Sequence, residues 1–245
     1  MLAELRQRLQ AMEKPAGIEA GPGAVPLGIA AVDAVLGGGL ARGALHEIAA
    51  PSEAHLAAAT GFVLGLAAGA QARVVWIAED MARTESGAPY GPGLDAFNLA
   101  PERLLTVAVA RARDLLWAME EALRCRAVGA VIGELRHGEI DAVAVRRLSL
   151  AAAEHGALAL LLRAKPVNDA STAATRWIVG AAPSSPARAF EFGAPRFAAQ
   201  LVRNRRGPTG SWIFEWSDTD ERFVLATHSV PMAAPPLHRP HRKVA

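Results

Sequence analysis

Cysteine, lysine and long apolar runs are what this chain of 245 residues has least of. Its single cysteine, Cys125, excludes an internal disulfide framework. The mildly apolar stretch from Leu56 to Ala70 is too short, and too rich in alanine and glycine, to cross a bilayer. The opening MLAELRQRLQ lacks the basic-then-apolar order of a signal peptide, so a cytoplasmic protein with no membrane partner is expected. Only three lysines (Lys14, Lys165, Lys243) stand beside 23 arginines. A coding sequence rich in G and C gives that bias along with the alanine runs, so clustering, not abundance, is the sign of a phosphate-binding surface. No pair of histidines has the spacing of a metal-binding helix, and no serine sits in a strand-turn-helix elbow. The chemistry of hydrolases and metalloenzymes thus has no support, and neither a metal nor a cofactor is expected.

What is present reads as a packed α/β chain. Hydrophobic residues make up 51% and charged residues 20%, which excludes a disordered hub. The net charge is +2, yet a pI near 9.1 keeps nucleic acid among the partners worth testing. Residues 1–14 place Leu2, Leu5, Leu9 and Met12 at helical spacing and predict an amphipathic helix that docks on a partner or on its own domain. Residues 15–26, rich in glycine and proline, read as a linker. A domain over 27–229 and a proline-rich basic tail over 230–245 complete the organisation.

Within the domain, Ile29, Val32 and Leu36 share one side of a helical turn that Gly37 to Gly39 stops. Strands are predicted at Ala44–Ala49, Ala72–Ala78, Leu104–Val109, Val128–Gly133 and Ala157–Leu162, with helices at Ala54–Gly69, Arg113–Arg126 and Glu139–Glu154. Leu115, Leu116, Met119 and Leu123 are the inward positions of the second helix, and Ile140, Val143, Leu148 and Leu150 are among the apolar positions of the third. Such alternation makes a mainly parallel sheet with helices on both faces. Beyond residue 163, TRWIVGA, RFAAQLVRN, GSWIFEW and RFVLATH predict antiparallel strands that extend it.

The turn from the first of these strands into its helix is where such a fold usually holds phosphate, because the helix amino terminus offers unpaired N–H groups. Here the connection, AAPSEAHLAAAT, has no glycine, no lysine and no hydroxyl at the spacing that holds magnesium. Glu53 adds negative charge instead, so the loop reads as structural.

The segment PLGIAAVDAVLGGGLARGALHEIAAPSE resembles the entry to the RecA-like recombinase fold. With WIAED, AATRWIVGAAPS and QLVRNRRGPTGSWI, the stretch from 27 to 227 resembles more closely the ImuA-type, damage-inducible mutagenesis family of RecA-like proteins. Set on the recombinase pattern, His55 stands at the glycine before the phosphate-loop lysine, Leu56 at that lysine and Ala57 at the magnesium-binding hydroxyl. Glu79 matches the water-activating glutamate, and Glu134 the acidic residue that ends a later strand. The resemblance therefore implies the recombinase shape without its motor. As acidic groups at the carboxyl ends of central strands, Glu79 and Glu134 are expected to accept hydrogen bonds from adjoining loops and arginines. The resemblance also implies a role in the SOS response, in error-prone synthesis past lesions. The implied partners are a protein similar to Y-family polymerases and an alternative replicative-type error-prone polymerase, with RecA recombinase and single-stranded DNA as further contacts. A DNA-dependent ATPase and a cell-division inhibitor that binds a cytoskeletal GTPase are the rival expectations.

One basic stretch stands out. No acidic residue lies between Glu191 and Glu215, whereas Arg196, Arg203, Arg205 and Arg206 do, followed by a Gly-Pro-Thr-Gly turn and Trp212. Alternation predicts a cationic rim beside an aromatic ring, joined by Arg176, that contacts either nucleic acid or a partner's carboxylates.

Overall fold

The computed structural model describes residues 23–70, 72–138, 140–167, 171–184 and 193–226. The predicted helix over 1–14 and the tail over 230–245 lie outside them. The stretch read as a linker ends in structure: strand β1 (Ala24–Val25) pairs with β2 (Leu40–Ala41). Gly39 permits the approach, since at φ +125° a Cβ there would stand 2.4 Å from the Val25 carbonyl oxygen. Between the two strands lies α1 (Ala30–Leu36), closed by Gly37 in the left-handed conformation. Asp33 fixes the entry to α1, its carboxylate accepting from the backbone N–H groups of Leu27, Gly28 and Ile29 at 2.8 to 3.1 Å.

Among the described residues the main sheet has nine strands, in the order β11-β10-β9-β8-β3-β7-β6-β4-β5. Its parallel half comprises β3 (Ala44–Ala49), β4 (Arg73–Glu79), β5 (Leu104–Val109), β6 (Val128–Leu135) and β7 (Leu158–Arg163). The apolar runs of β4 and β6 are inside, with Val74, Ile77, Val131 and Ile132 inaccessible and Val128, at the start of β6, half-buried. Helix α2 (Leu56–Ala68) covers one face of the sheet, whereas α5 (Ala112–Leu123) and α6 (Ala142–His155) cover the other. Short helices α3 (Asp80–Ser86) and α4 (Gly91–Asp95) follow β4.

Beyond residue 163 the sheet departs from expectation in one strand. β8 (Thr175–Ala181) runs parallel to β3 and only its other edge is antiparallel, to β9 (Arg196–Asn204). The connection from β7 is long enough to return the chain to the same end, so β8 inherits the direction of the core. β10 (Gly210–Ser217) and β11 (Arg222–Leu225) then continue as antiparallel strands.

Helix α2 is apolar almost all round because it is buried almost all round. Phe62, at its centre, packs against the rings of Trp177, Phe197, Phe214 and Phe223 with centroids 5.1 to 6.0 Å away. The second core, under α5 and α6, is aliphatic and includes Leu115, Met119, Leu123, Val145 and Leu148. Helix α6 starts at Ala142, where the Asp141 carboxylate caps the Ala144 N–H at 2.7 Å. Two of its apolar residues, Val143 and Leu150, face solvent.

Candidate functional site

The sequence pointed to two places, which sit at opposite ends of the parallel strands: the turn before α2 at their carboxyl ends, and the basic stretch toward their amino ends, where Asn204 pairs with Thr175 and Thr175 with His46. The first is the turn from β3 into α2. It passes through a single turn of 3-10 helix, Glu53–His55, rather than a loop that wraps an anion. Leu56 is buried in the α2-side core and Ala57 lies at the surface. The His55 Nδ1 accepts the Ala181 N–H at 3.0 Å, so this ring ties the turn to the end of β8.

In front of α2 opens a cleft of about 640 Å³ whose walls include Leu56, Thr60, Trp76 and Ala78. Its charged lining sets three carboxylates, Glu53, Glu85 and Glu134, against two guanidinium groups, Arg83 and Arg136. That lining does not favour a triphosphate. Glu134 is fully engaged: Trp76 Nε1 donates to one oxygen at 3.1 Å, and Arg136 Nε and Nη2 donate to the other at 2.8 and 2.7 Å. Glu79 ends the neighbouring strand with the parity of Val75 and Ile77, which pack on the α5–α6 side, while Glu134 reaches Trp76 on the α2 side. Its carboxylate meets the His137 N–H at 3.5 Å. Two carboxylates on opposite faces do not share a metal ion, and among the described residues no group of three metal-ligating side chains occurs.

The second place is the basic stretch. Arg203 and Arg205 are neighbours at the end of β9, whereas the Arg206 side chain lies by Gly37, at the end of α1. Arg205 Nη2 donates to the Ser171 carbonyl at 3.1 Å, and the Arg206 N–H donates to Asn204 Oδ1 at 3.0 Å. Burial, and then the charge of Arg203 beside it, pushes the Arg205 guanidinium below its usual value. An anion bound there relieves both effects.

The other members of the expected rim lie elsewhere. Arg196 begins β9, about 23 Å of strand away from Arg203, and its buried guanidinium pairs with Glu215. Arg176 is a register neighbour of Arg203 and lines the same cavity of about 310 Å³, together with Glu47, Arg163 and Val202. Its guanidinium is committed inward, to Glu47 Oε2 at 2.6 Å and the Val167 carbonyl at 3.1 Å. Trp212 turns to the α2 side, where its ring stands 5.9 Å from that of Trp177 and 6.1 Å from that of Phe214. The cationic rim therefore has no aromatic companion at Trp212.

Sequence reasoning passed over His46. It is wholly buried, its Nε2–H donates to the Ala41 carbonyl at 3.0 Å, and its Nδ1 accepts from the Thr175 hydroxyl at 2.7 Å. Thr175 Oγ1 in turn accepts from Trp177 Nε1 at 2.9 Å. A lone histidine in an apolar strand gave no signal of this chain of bonds. Burial lowers the imidazole to about 4; the Ala41 carbonyl opposes that and Arg206 reinforces it. The unfolded chain titrates near its ordinary value of about 6.5 and binds more protons between the two values. Stability should thus be complete above about pH 6.5 and decline as pH falls toward 4. Urea unfolding across that window should show the decline, and His46→Gln should flatten it. An unchanged slope in the variant would assign the acid sensitivity to other groups.

No helix among the described residues is long and apolar enough to cross a membrane. No protein-family model matches the chain. It is 30% identical over 221 residues to Protein ImuA from two strains of Caulobacter vibrioides, covering 80% of this chain and 87% of the relative. The crystal structure of the RadB recombinase matches with a TM-score of 0.57 over 81% of this chain and 98% of that one, at 16% identity, a likeness of fold alone. On this RecA-like α/β scaffold, the coverage and identity of the curated relatives place the chain in the ImuA family.

Proposed function

We propose that the protein is a non-catalytic, RecA-like accessory factor of error-prone DNA synthesis past lesions in an SOS-type response, and that it works by binding rather than turnover. The observation that carries this reading is the state of the turn before α2. The positions of the phosphate-loop cation and magnesium ligand hold Leu56 and Ala57, and Glu134 is spent on Trp76 and Arg136. Losing one cation facing a transferring phosphoryl group costs several kcal/mol of transition-state stabilisation. Family membership supports the setting, with a Y-family polymerase-like protein and a replicative-type error-prone polymerase as the partners that the resemblance implies.

The cluster of Arg203, Arg205 and Arg206 is the binding surface that this reading favours, for phosphates of single-stranded DNA. Guanidinium forks fit phosphate oxygens, and these three lie within four residues of one another with no acidic residue in their own stretch of chain. Changing all three to alanine should weaken single-stranded DNA binding by more than about tenfold at low salt. It should also lower the salt slope by roughly two units, at about 0.7 counterions per phosphate contact. Titration of labelled DNA across salt concentrations, with wild type and triple variant, reads both numbers. A folded triple variant with unaltered affinity and slope would remove DNA from this surface.

A further inference from the structure

Asn204 closes β9 and hands the chain from the sheet to the turn that carries Arg206. Its backbone is fixed in register with Thr175, and the next N–H, that of Arg205, donates to the Ala174 carbonyl at 2.9 Å. Its side chain reaches in two directions. Nδ2 donates to the Val35 carbonyl at 2.9 Å and to the Pro208 carbonyl at 3.0 Å, while Oδ1 accepts the Arg206 N–H at 3.0 Å. Both N–H groups and the oxygen of one amide are thus spent on holding the turn. An aspartate has no N–H to give, and an alanine would leave the Val35 carbonyl without this donor.

The far end of the anchor is itself fixed. Val35 lies in the last turn of α1, where carbonyls lack intrahelical partners, and Asn204 supplies one. Val32 and Leu36 root α1 in the core, and Asp33 ties down its entry. Gly207 permits the close contact, since a Cβ there would stand 2.6 Å from the Val35 carbonyl oxygen. The turn therefore rests directly on the end of α1.

The arginines part as a result. Arg203 stays on the sheet, opposite Arg176 and beside Arg205, whereas the Arg206 guanidinium stands 3.9 Å from where a Cβ of Gly37 would be. We infer, on the reading that this surface binds single-stranded DNA, that Asn204 is its positioning residue. By pinning the turn to α1 it holds Arg206 apart from Arg203 and Arg205, so the surface offers two separate phosphate contacts instead of one crowded charge. A long side chain placed beforehand in this way gives up less freedom when the strand binds.

Titrations of labelled single-stranded DNA with Asn204→Ala, Arg206→Ala and the double variant form a cycle. Each single change should weaken binding about two- to threefold at low salt and lower the salt slope by about 0.7, the share of one phosphate contact. The double should lose no more than Arg206→Ala alone. Additive losses, or a wild-type slope in Asn204→Ala, would overturn the assignment. Should Asn204→Ala fail to fold, Gly207→Ala also forces the turn off α1 and should give the slope of Arg206→Ala; a wild-type slope there would count equally against it. A second readout needs no DNA. Arg206 adds to the lowering of His46, so NMR titration of that imidazole should find its pKa raised by Arg206→Ala and by Asn204→Ala alike. A rise in the first variant only, or in neither, would mean that Asn204 does not hold Arg206 at α1. If both variants raise His46 and neither alters DNA binding, Asn204 still places Arg206 and the DNA reading is what falls.

Discussion

Phe62→Ala should lower stability by about 3 to 5 kcal/mol, and the melting temperature by roughly 6 to 20 °C. Phe62 is wholly inaccessible and touches rings from β8, β9, β10 and β11, so its removal leaves a cavity that four strands border. Rings of that size cannot close the gap without leaving their rotamers. The opposite error should cost less at Gly65, one turn on. A Cβ there would stand 2.5 Å from the Phe223 ring and 2.8 Å from that of Trp216, and Gly65→Ala should lose about 1 to 3 kcal/mol. Urea unfolding of both variants checks the pair. A Phe62→Ala loss under about 1 kcal/mol would mean that α2 and the late strands are not one core.

The second large effect is electrostatic. Arg176→Met should destabilise by about 3 to 5 kcal/mol, because it strands Glu47, 3% exposed at its side chain, in the middle of the sheet. Ser171 Oγ donates to the other Glu47 oxygen at 2.7 Å, and that one hydroxyl is insufficient for a charge. Adding Glu47→Leu should recover most of the loss, since an apolar pair of similar volume removes the desolvation cost altogether. Unfolding curves of both singles and the double give the coupling. A double variant as unstable as the sum of the singles would show that Arg176 and Glu47 act separately. Single-stranded DNA affinity should follow Arg203, Arg205 and Arg206 rather than Arg176.

Strands and helices of the parallel half were legible because their apolar runs have the length of a strand and alternate with helical periods. Ala44–Ala49 and Leu104–Val109 coincide with the observed strands. Direction was not legible for β8. Its alternation is the same in either sense, and only the path of the chain between β7 and β8 decides it. The site failed for a related reason. Arg196 and Arg203 are close in sequence, but a nine-residue strand puts them at opposite ends of the sheet. Parity on a neighbouring strand sent Trp212 to the α2 side, and the Glu47 that captures Arg176 lies 129 residues earlier. The missing lysine and hydroxyl before α2 were legible because they are absences within one short loop. The bonds that occupy Glu134 in their place come from β4 and from beyond the end of β6, and no local pattern announces them.

The position of β3 sets a schedule for the nascent chain. It is made early, yet its two sheet neighbours are β7 and β8, whose first residues are Leu158 and Thr175. At ribosomal speeds of about 5 to 20 residues per second, β3 waits roughly 5 to 20 seconds for a partner edge, with the largely apolar α2 beside it. During that interval the chain presents an unpaired strand and a greasy helix to every other nascent copy. Slower growth or chaperone overproduction should therefore raise the soluble yield of this protein more than any change to its finished surface.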